Sequence, residues 1–172
     1  MDKKRAVYEI ERKFLVRKLP RDFSKYPNKD IVQGYLPVSG AAVRFRRCGD
    51  TYFETVKIGR GKKRVEAEVE ITKEQFGKLW PATDSHIEKT RYVIPYNGFN
   101  IELDYYHGRM EGMLVAEVEF SSVRECDSFI PPEWFGKEVT EDGRFSNLAL
   151  ARTPKSALPR DFLRSSVKFA RK

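Results

Sequence analysis

Apolar and polar residues alternate with a period of two along most of the chain. The pattern predicts eight strands, at about 6–16, 31–37, 42–48, 51–58, 64–71, 86–95, 99–107 and 113–121. Gly49-Asp50 and Asn97-Gly98 stand at tight reversals, where hairpins need positive φ. Gly59-Arg60-Gly61-Lys62-Lys63 reads as a further hairpin turn, because it lacks the GKS/T ending and the following helix of a phosphate-binding loop. Helical periodicity is sparse. Thr72-Lys73-Glu74-Gln75 is a capping box with Phe76, Leu79 and Trp80 on one face behind it. Ser122-Val123-Arg124-Glu125 is a second box, followed by Val123, Cys126, Phe129 and Ile130 and stopped by Pro131-Pro132. A short helix is expected at 146–151. Another is expected after Pro159, with Leu163, Val167 and Ala170 on one side and Arg164, Lys168 and Arg171 on the other.

The expected fold class is therefore α+β, mainly antiparallel β. Eight antiparallel strands can close into a barrel whose interior holds one small ligand. The faces of the strands say what lies inside. Glu9, Glu11 and Lys13 share a face; so do Arg44 with Arg46, Thr55 with Lys57, Glu66 with Glu68 and Glu70, Lys89 with Arg91, Glu102 with Asp104, and Glu117 with Glu119. A solvated sheet face mixes uncharged polar residues with charges of both signs. Here like charges stand in pairs two residues apart, and such pairs repel unless an opposite charge sits between them. Carboxylate pairs call for a cation, and Arg/Lys pairs call for an anion. The expected architecture is an eight-stranded closed barrel with a charged interior, its apolar outer face covered by a few flanking helices.

If the first and last of these strands close the barrel, Glu9 and Glu11 approach Glu117 and Glu119. That is an oxygen-ligand cluster suited to Mg²⁺ or Mn²⁺. His86 and His107 are too few for a histidine site and read as surface or strand-end residues. Lys13, Arg44, Arg46, Lys57, Lys89 and Arg91 supply six positive groups, a match for a compact polyanion such as triphosphate.

The 172 residues suit one domain with a real core. The net charge of +8 invites a nucleic-acid reading. Seven basic residues between Arg152 and Lys172, against Asp161 alone, supply most of that charge, so the body is nearly balanced. We expect a body at 1–151 and a basic, helical tail at 152–172. Cys48 and Cys126 are isolated, no apolar run approaches the ~20 residues of a membrane span, and no apolar signal segment follows the first charges. A cytoplasmic protein is expected, without membrane or nucleic-acid partner. A homodimer is the assembly carried forward.

The motifs, taken in order, resemble those of the CYTH family, the triphosphate tunnel metalloenzymes. Glu9-Ile-Glu11-Arg-Lys13 resembles its ExExK signature, Gln33-Gly34-Tyr35-Leu36 its second-strand motif, Val43-Arg44-Phe45-Arg46 its VRxR and Thr55-Val56-Lys57 its TxK. Glu66-Ala67-Glu68, Lys89-Thr90-Arg91-Tyr92, Glu102-Leu103-Asp104 and Glu117-Val118-Glu119 follow, and 138–151 is similar to its C-terminal block. The segments Leu79 to Thr83 and Phe129 to Pro132 resemble the short bacterial members that act as inorganic triphosphatases.

The resemblance implies metal-dependent hydrolysis of a terminal phosphoryl group by water. Glu9, Glu11, Glu117 and Glu119 would be the main metal ligands, with Glu68 and Asp104 as second candidates. Lys13, Arg44, Arg46, Lys57, Lys89 and Arg91 would grip the triphosphate, and Lys57 and Tyr35 resemble the family's catalytic dyad. Lys57, crowded by cations, is placed to act as a general base or as a fixed charge. Tyr35 reads equally well as a core aromatic. The family also holds class IV adenylate cyclases and nucleoside, thiamine and RNA triphosphatases, and a non-catalytic polyphosphate- or nucleotide-binding module is a further alternative. No segment is set aside for a base and ribose, and every carboxylate pair is kept, which favours an inorganic triphosphatase.

Overall fold

The computed structural model describes residues 7–164. The strands are β1 Val7–Val16, β2 Asn28–Tyr35, β3 Ala42–Cys48, β4 Thr51–Ile58, β5 Lys63–Ile71, β6 Ser85–Tyr96, β7 Phe99–Tyr106, β8 Leu114–Glu119 and β9 Phe135–Glu138. The helices are α1 Lys73–Leu79, α2 Val123–Ser128, α3 Asn147–Arg152 and α4 Arg160–Arg164, with short 3-10 turns between elements. The sheet runs β5-β4-β3-β2-β6-β7-β8-β1, and a β1–β5 pairing closes these eight antiparallel strands into a barrel. Asn97 (φ 48°) and Gly98 (φ 81°) turn β6 into β7 as the sequence requires.

The closing seam explains the ninth strand. β5 pairs with only the first part of β1, Val7 to Ile10. The remaining edge of β1 is taken by β9, with Phe14 opposite Glu138 and Val16 opposite Phe135. β9 is four residues long and carries no alternation, so periodicity did not signal it. β2 begins at Asn28, three residues earlier than expected. Its exposed Asn28, Lys29 and Asp30 are strand because the long β6 offers partners as far as Tyr92.

Both faces of β1 are buried, and each belongs to a different core. Outside the barrel, Phe14, Val16, Leu103, Ala116 and Val118 pack under α2 and the 129–135 segment. Phe129 is central there, its ring lying within 6.5 Å of Phe14, Phe99, Phe120 and Phe135. The second core closes one end of the barrel. Leu15, Tyr35, Ile87, Tyr106 and Val115 meet Phe145, Leu150, Leu158 and Phe162. Arg109 fastens α3 beneath this end by donating to the carbonyls of Leu150 and Ala151, and the Tyr106 hydroxyl donates to Asn147.

The Thr72 capping box of α1 forms in full. The Ser122 box forms by half: the Ser122 hydroxyl accepts from Glu125 N, but the Glu125 carboxylate binds Ser121 instead of reaching back to Ser122. Gly34 has no room for a side chain, since a Cβ there would lie 2.8–2.9 Å from Thr83 and Trp80. The turn after α1 therefore packs directly on the β2 backbone. α3 occupies the helix expected at 146–151, and α4 opens the helix expected after Pro159. The rest of that expected helix, with Val167, Lys168, Ala170 and Arg171, lies outside the described residues. Among the described residues no helix is long and apolar enough to cross a membrane.

Candidate active site

Register carries the charged faces into the barrel. Glu11 stands opposite Glu119 and Lys13 opposite Glu117 on β1–β8, Glu9 opposite Arg64 on β1–β5, and Arg91 opposite Asp104 on β6–β7. Directly opposed residues share a face. One end of the barrel is the apolar floor described above, and the other opens between the start of β1 and the end of β8.

At that mouth, carboxylate oxygens of Glu9, Glu11 and Glu119 lie within 4.8 Å of one another, and they are the one metal-type cluster among the described residues. Glu119 keeps solvent contact, yet its pKa is pushed up to about 7, first by partial burial and then by Glu102, Glu9 and Glu11. Burial and the nearby charge of Glu117 also raise Glu11. Three carboxylates crowded this closely form a site that gains by taking a hard cation, and oxygen donors suit Mg²⁺ or Mn²⁺. A cleft of about 380 Å³ opens beside Glu102 and Glu119.

The expected cations each lie against a carboxylate, Lys57 at the mouth itself. Lys57 Nζ is 2.5 Å from Glu9 and 3.5 Å from Glu66. Lys13 Nζ is 2.6 Å from Glu117. Arg46 reaches Glu68 at 2.8 Å, and Arg44 stands 3.8–3.9 Å from Glu68 and Glu66. Arg91 binds Asp104 with two nitrogens at 2.7 Å each, Glu117 at 2.7 Å, and also Glu102. Lys89 is almost wholly buried on Asp104; its pKa is pushed down to about 8, by burial first and by Arg91 second, with Asp104 opposing. Burial opposes ionisation of Glu117, but Lys13, Lys89 and Arg91 together outweigh it and hold that carboxyl well below the usual range.

Of the residues expected to bind metal, Glu9, Glu11 and Glu119 come together. Glu117, Glu68 and Asp104 instead hold Lys13, Arg46 and Lys89. Lys57 stands at the acidic mouth. Tyr35 belongs to the apolar floor, where its hydroxyl accepts from Gln33 Nε2 at 2.6 Å and burial raises its pKa against the pull of Arg44. The two members of the expected dyad thus take different partners. His86 is exposed, and His107 bonds Thr90 at a strand end. Arg64 was not singled out from the sequence, although it shares the face of Glu66. It lies 2.8 Å from Glu9 and 2.5 Å from Glu11. Gln33, which the sequence offers only as part of the second-strand motif, is fully buried and positions the Tyr35 hydroxyl.

No family model matches the chain. A curated inorganic triphosphatase of Nitrosomonas europaea is 45% identical over 149 residues, covering 83% of this chain and 96% of the relative. One of Acetivibrio thermocellus is 35% identical over 152 residues, covering 85% and 94%. A solved structure of an inorganic triphosphatase superposes with a TM-score of 0.64 at 42% identity, covering 86% of this chain and 96% of its own. The closed β-barrel thus recurs in a solved structure that shares 42% of its residues. The chain belongs to the inorganic triphosphatase family.

Proposed function

We propose that this protein is a CYTH-type triphosphate tunnel enzyme. It hydrolyses inorganic triphosphate to pyrophosphate and phosphate with the help of a divalent cation. The observation that carries the reading is the convergence of Glu9, Glu11 and Glu119 at the mouth of a closed barrel whose interior is lined by Lys and Arg. The two curated relatives bear the name of that activity.

In this reading Glu9, Glu11 and Glu119 would hold Mg²⁺ or Mn²⁺, which would supply Lewis-acid polarisation of the phosphate oxygens. Arg44, Arg46 and Arg91, with Lys13 and Lys89 below them, neutralise the polyanion. They exchange carboxylate partners for phosphate oxygens, which match the guanidinium fork. Lys57, beside Glu9, stabilises charge developing on the phosphoryl group or takes a proton from the attacking water. Tyr35 acts from the floor, through its place beside Arg44. Residues 1–151 carry this chemistry. The basic tail from 152 contributes packing through Leu158 and Phe162, and a reduced cytoplasmic setting suits the free thiols of Cys48 and Cys126.

The test is phosphate release from tripolyphosphate, ATP, thiamine triphosphate and pyrophosphate, with Mg²⁺, Mn²⁺ or a chelator, and with cyclic AMP assayed in parallel. Metal-dependent release from tripolyphosphate above all others is the expected result. Preference for ATP, or cyclic AMP formation, would move the assignment to a nucleotide enzyme. Tight binding without turnover would make the protein a polyphosphate-binding module.

A further inference from the structure

The acidic mouth is not an open set of carboxylates. Arg64 Nη2 lies 2.8 Å from Glu9 Oε2 and 2.5 Å from Glu11 Oε1, so a single guanidinium nitrogen bridges two of the three. Lys57 holds the other oxygen of Glu9 at 2.5 Å. Glu119 has no ion pair among the described residues. Arg64 is no loose surface residue: it is mostly buried, and its backbone pairs with Glu9 on the seam that closes the barrel. Its Nε is buried and has no partner. The Nε of Arg44 and that of Arg46 are likewise without a partner, so what marks Arg64 is the pair of carboxylates that it bridges. Arg64 leaves part of its fork unpaired while bridging two carboxylates that would otherwise repel.

A divalent cation ligated by Glu9 and Glu11 competes for the same two carboxylates, and it repels a guanidinium already in contact with them. We infer that Arg64 is the resident counter-cation of the Glu9–Glu11 pair, which a divalent cation must displace, so that Arg64 sets the metal affinity of the site and stabilises the metal-free barrel. The inference rests on the reading that these carboxylates bind metal. It adds a residue that works against binding, in exchange for a barrel that stays closed when no metal is present. An arginine that only packed the seam would affect stability equally with and without metal and would leave affinity unchanged.

The experiment is a Mn²⁺ titration followed by electron paramagnetic resonance on wild type, Arg64→Gln, Arg64→Lys and Glu119→Gln. Thermal unfolding of each is measured in chelator and in saturating Mn²⁺. Arg64→Gln should bind Mn²⁺ about tenfold more tightly, a change of ~1.4 kcal/mol. Its midpoint in chelator should fall by ~4 °C, and saturating Mn²⁺ should close most of that gap. Arg64→Lys, which keeps the charge, should stay near wild type. Binding by Arg64→Gln that is equal to or weaker than wild type overturns the inference. Wild type that takes no Mn²⁺, or Glu119→Gln that binds as wild type does, overturns the metal reading beneath it. If Arg64→Gln does not fold, the Arg64 Nε–H resonance of wild type decides: Mg²⁺ should shift it, and an unmoved signal rejects displacement.

Discussion

The ammonium of Lys57 lies 2.5 Å from the carboxylate of Glu9, joining β4 to β1 across the intervening β5. The residue expected to serve the phosphoryl group is thus bound to a residue expected to hold the metal. On the proposed function, a cation on Glu9 and an anion on Lys57 would part the two. The same exchange applies to Arg46 with Glu68 and Lys13 with Glu117.

Lys57→Ala is expected to cut tripolyphosphate turnover by ~10²–10³ with the fold intact by circular dichroism. Lys57→Arg separates the two roles left for this residue, because a guanidinium keeps the charge and does not deprotonate. Turnover in Lys57→Arg well above that of Lys57→Ala would assign an electrostatic role. Equal losses would assign proton transfer.

Glu119 makes the metal-free protein sensitive to pH. Its carboxyl titrates near 7 in the fold, against about 4.5 in the unfolded chain. Between those values the folded state holds a proton that the unfolded chain has released. The stabilisation is present at low pH and is lost as pH rises through about 7. Thermal midpoints in chelator at pH 6 and pH 8 should therefore drop less in Glu119→Gln than in wild type. Mn²⁺ competes with that proton, so wild-type affinity should rise over the same interval.

The pair Lys89 and Asp104 is sealed from solvent, with Arg91 on the same carboxylate. Asp104→Asn leaves two buried cations short of their anion and is expected to cost ~3–5 kcal/mol in urea unfolding. Replacing both partners, as Lys89→Met with Asp104→Leu, should recover part of that loss. A double variant less stable than Asp104→Asn would show that Arg91 is the cation that needs Asp104.

Phe162 is fully buried against Tyr106 and Phe145, at ring separations of 5.6 and 6.2 Å, under the barrel floor. Phe162→Ala should destabilise by ~3–5 kcal/mol, read by urea unfolding. The same variant should leave Mn²⁺ affinity at the opposite end unchanged.

The barrel was legible because its strands are written in period two, and because like charges in pairs have no place on an ordinary wet face. Hairpin turns such as Asn97-Gly98 and caps such as Thr72 are local and could be read from a few residues. β9 was not legible. It exists only because β5 covers part of β1 and leaves an edge to be filled, a long-range consequence without local pattern.

The sequence by itself determined which residues are ionic and which share a face, since alternation in a strand is a property of the chain alone. That was enough to name Glu9, Glu11 and Glu119 and the basic set. The tertiary structure decided which charges meet. Glu117 faces the expected metal cluster on paper but lies with Lys13, Lys89 and Arg91, because strand register sets depth in the barrel. Tyr35 fell to the apolar floor and Lys57 to the acidic mouth for the same reason. Arg64 reached Glu9 and Glu11 only through closure of β1 on β5, which pairs residues more than fifty positions apart in the chain. Electrostatic pairing depends on distances of a few ångströms, and only the closed barrel sets those.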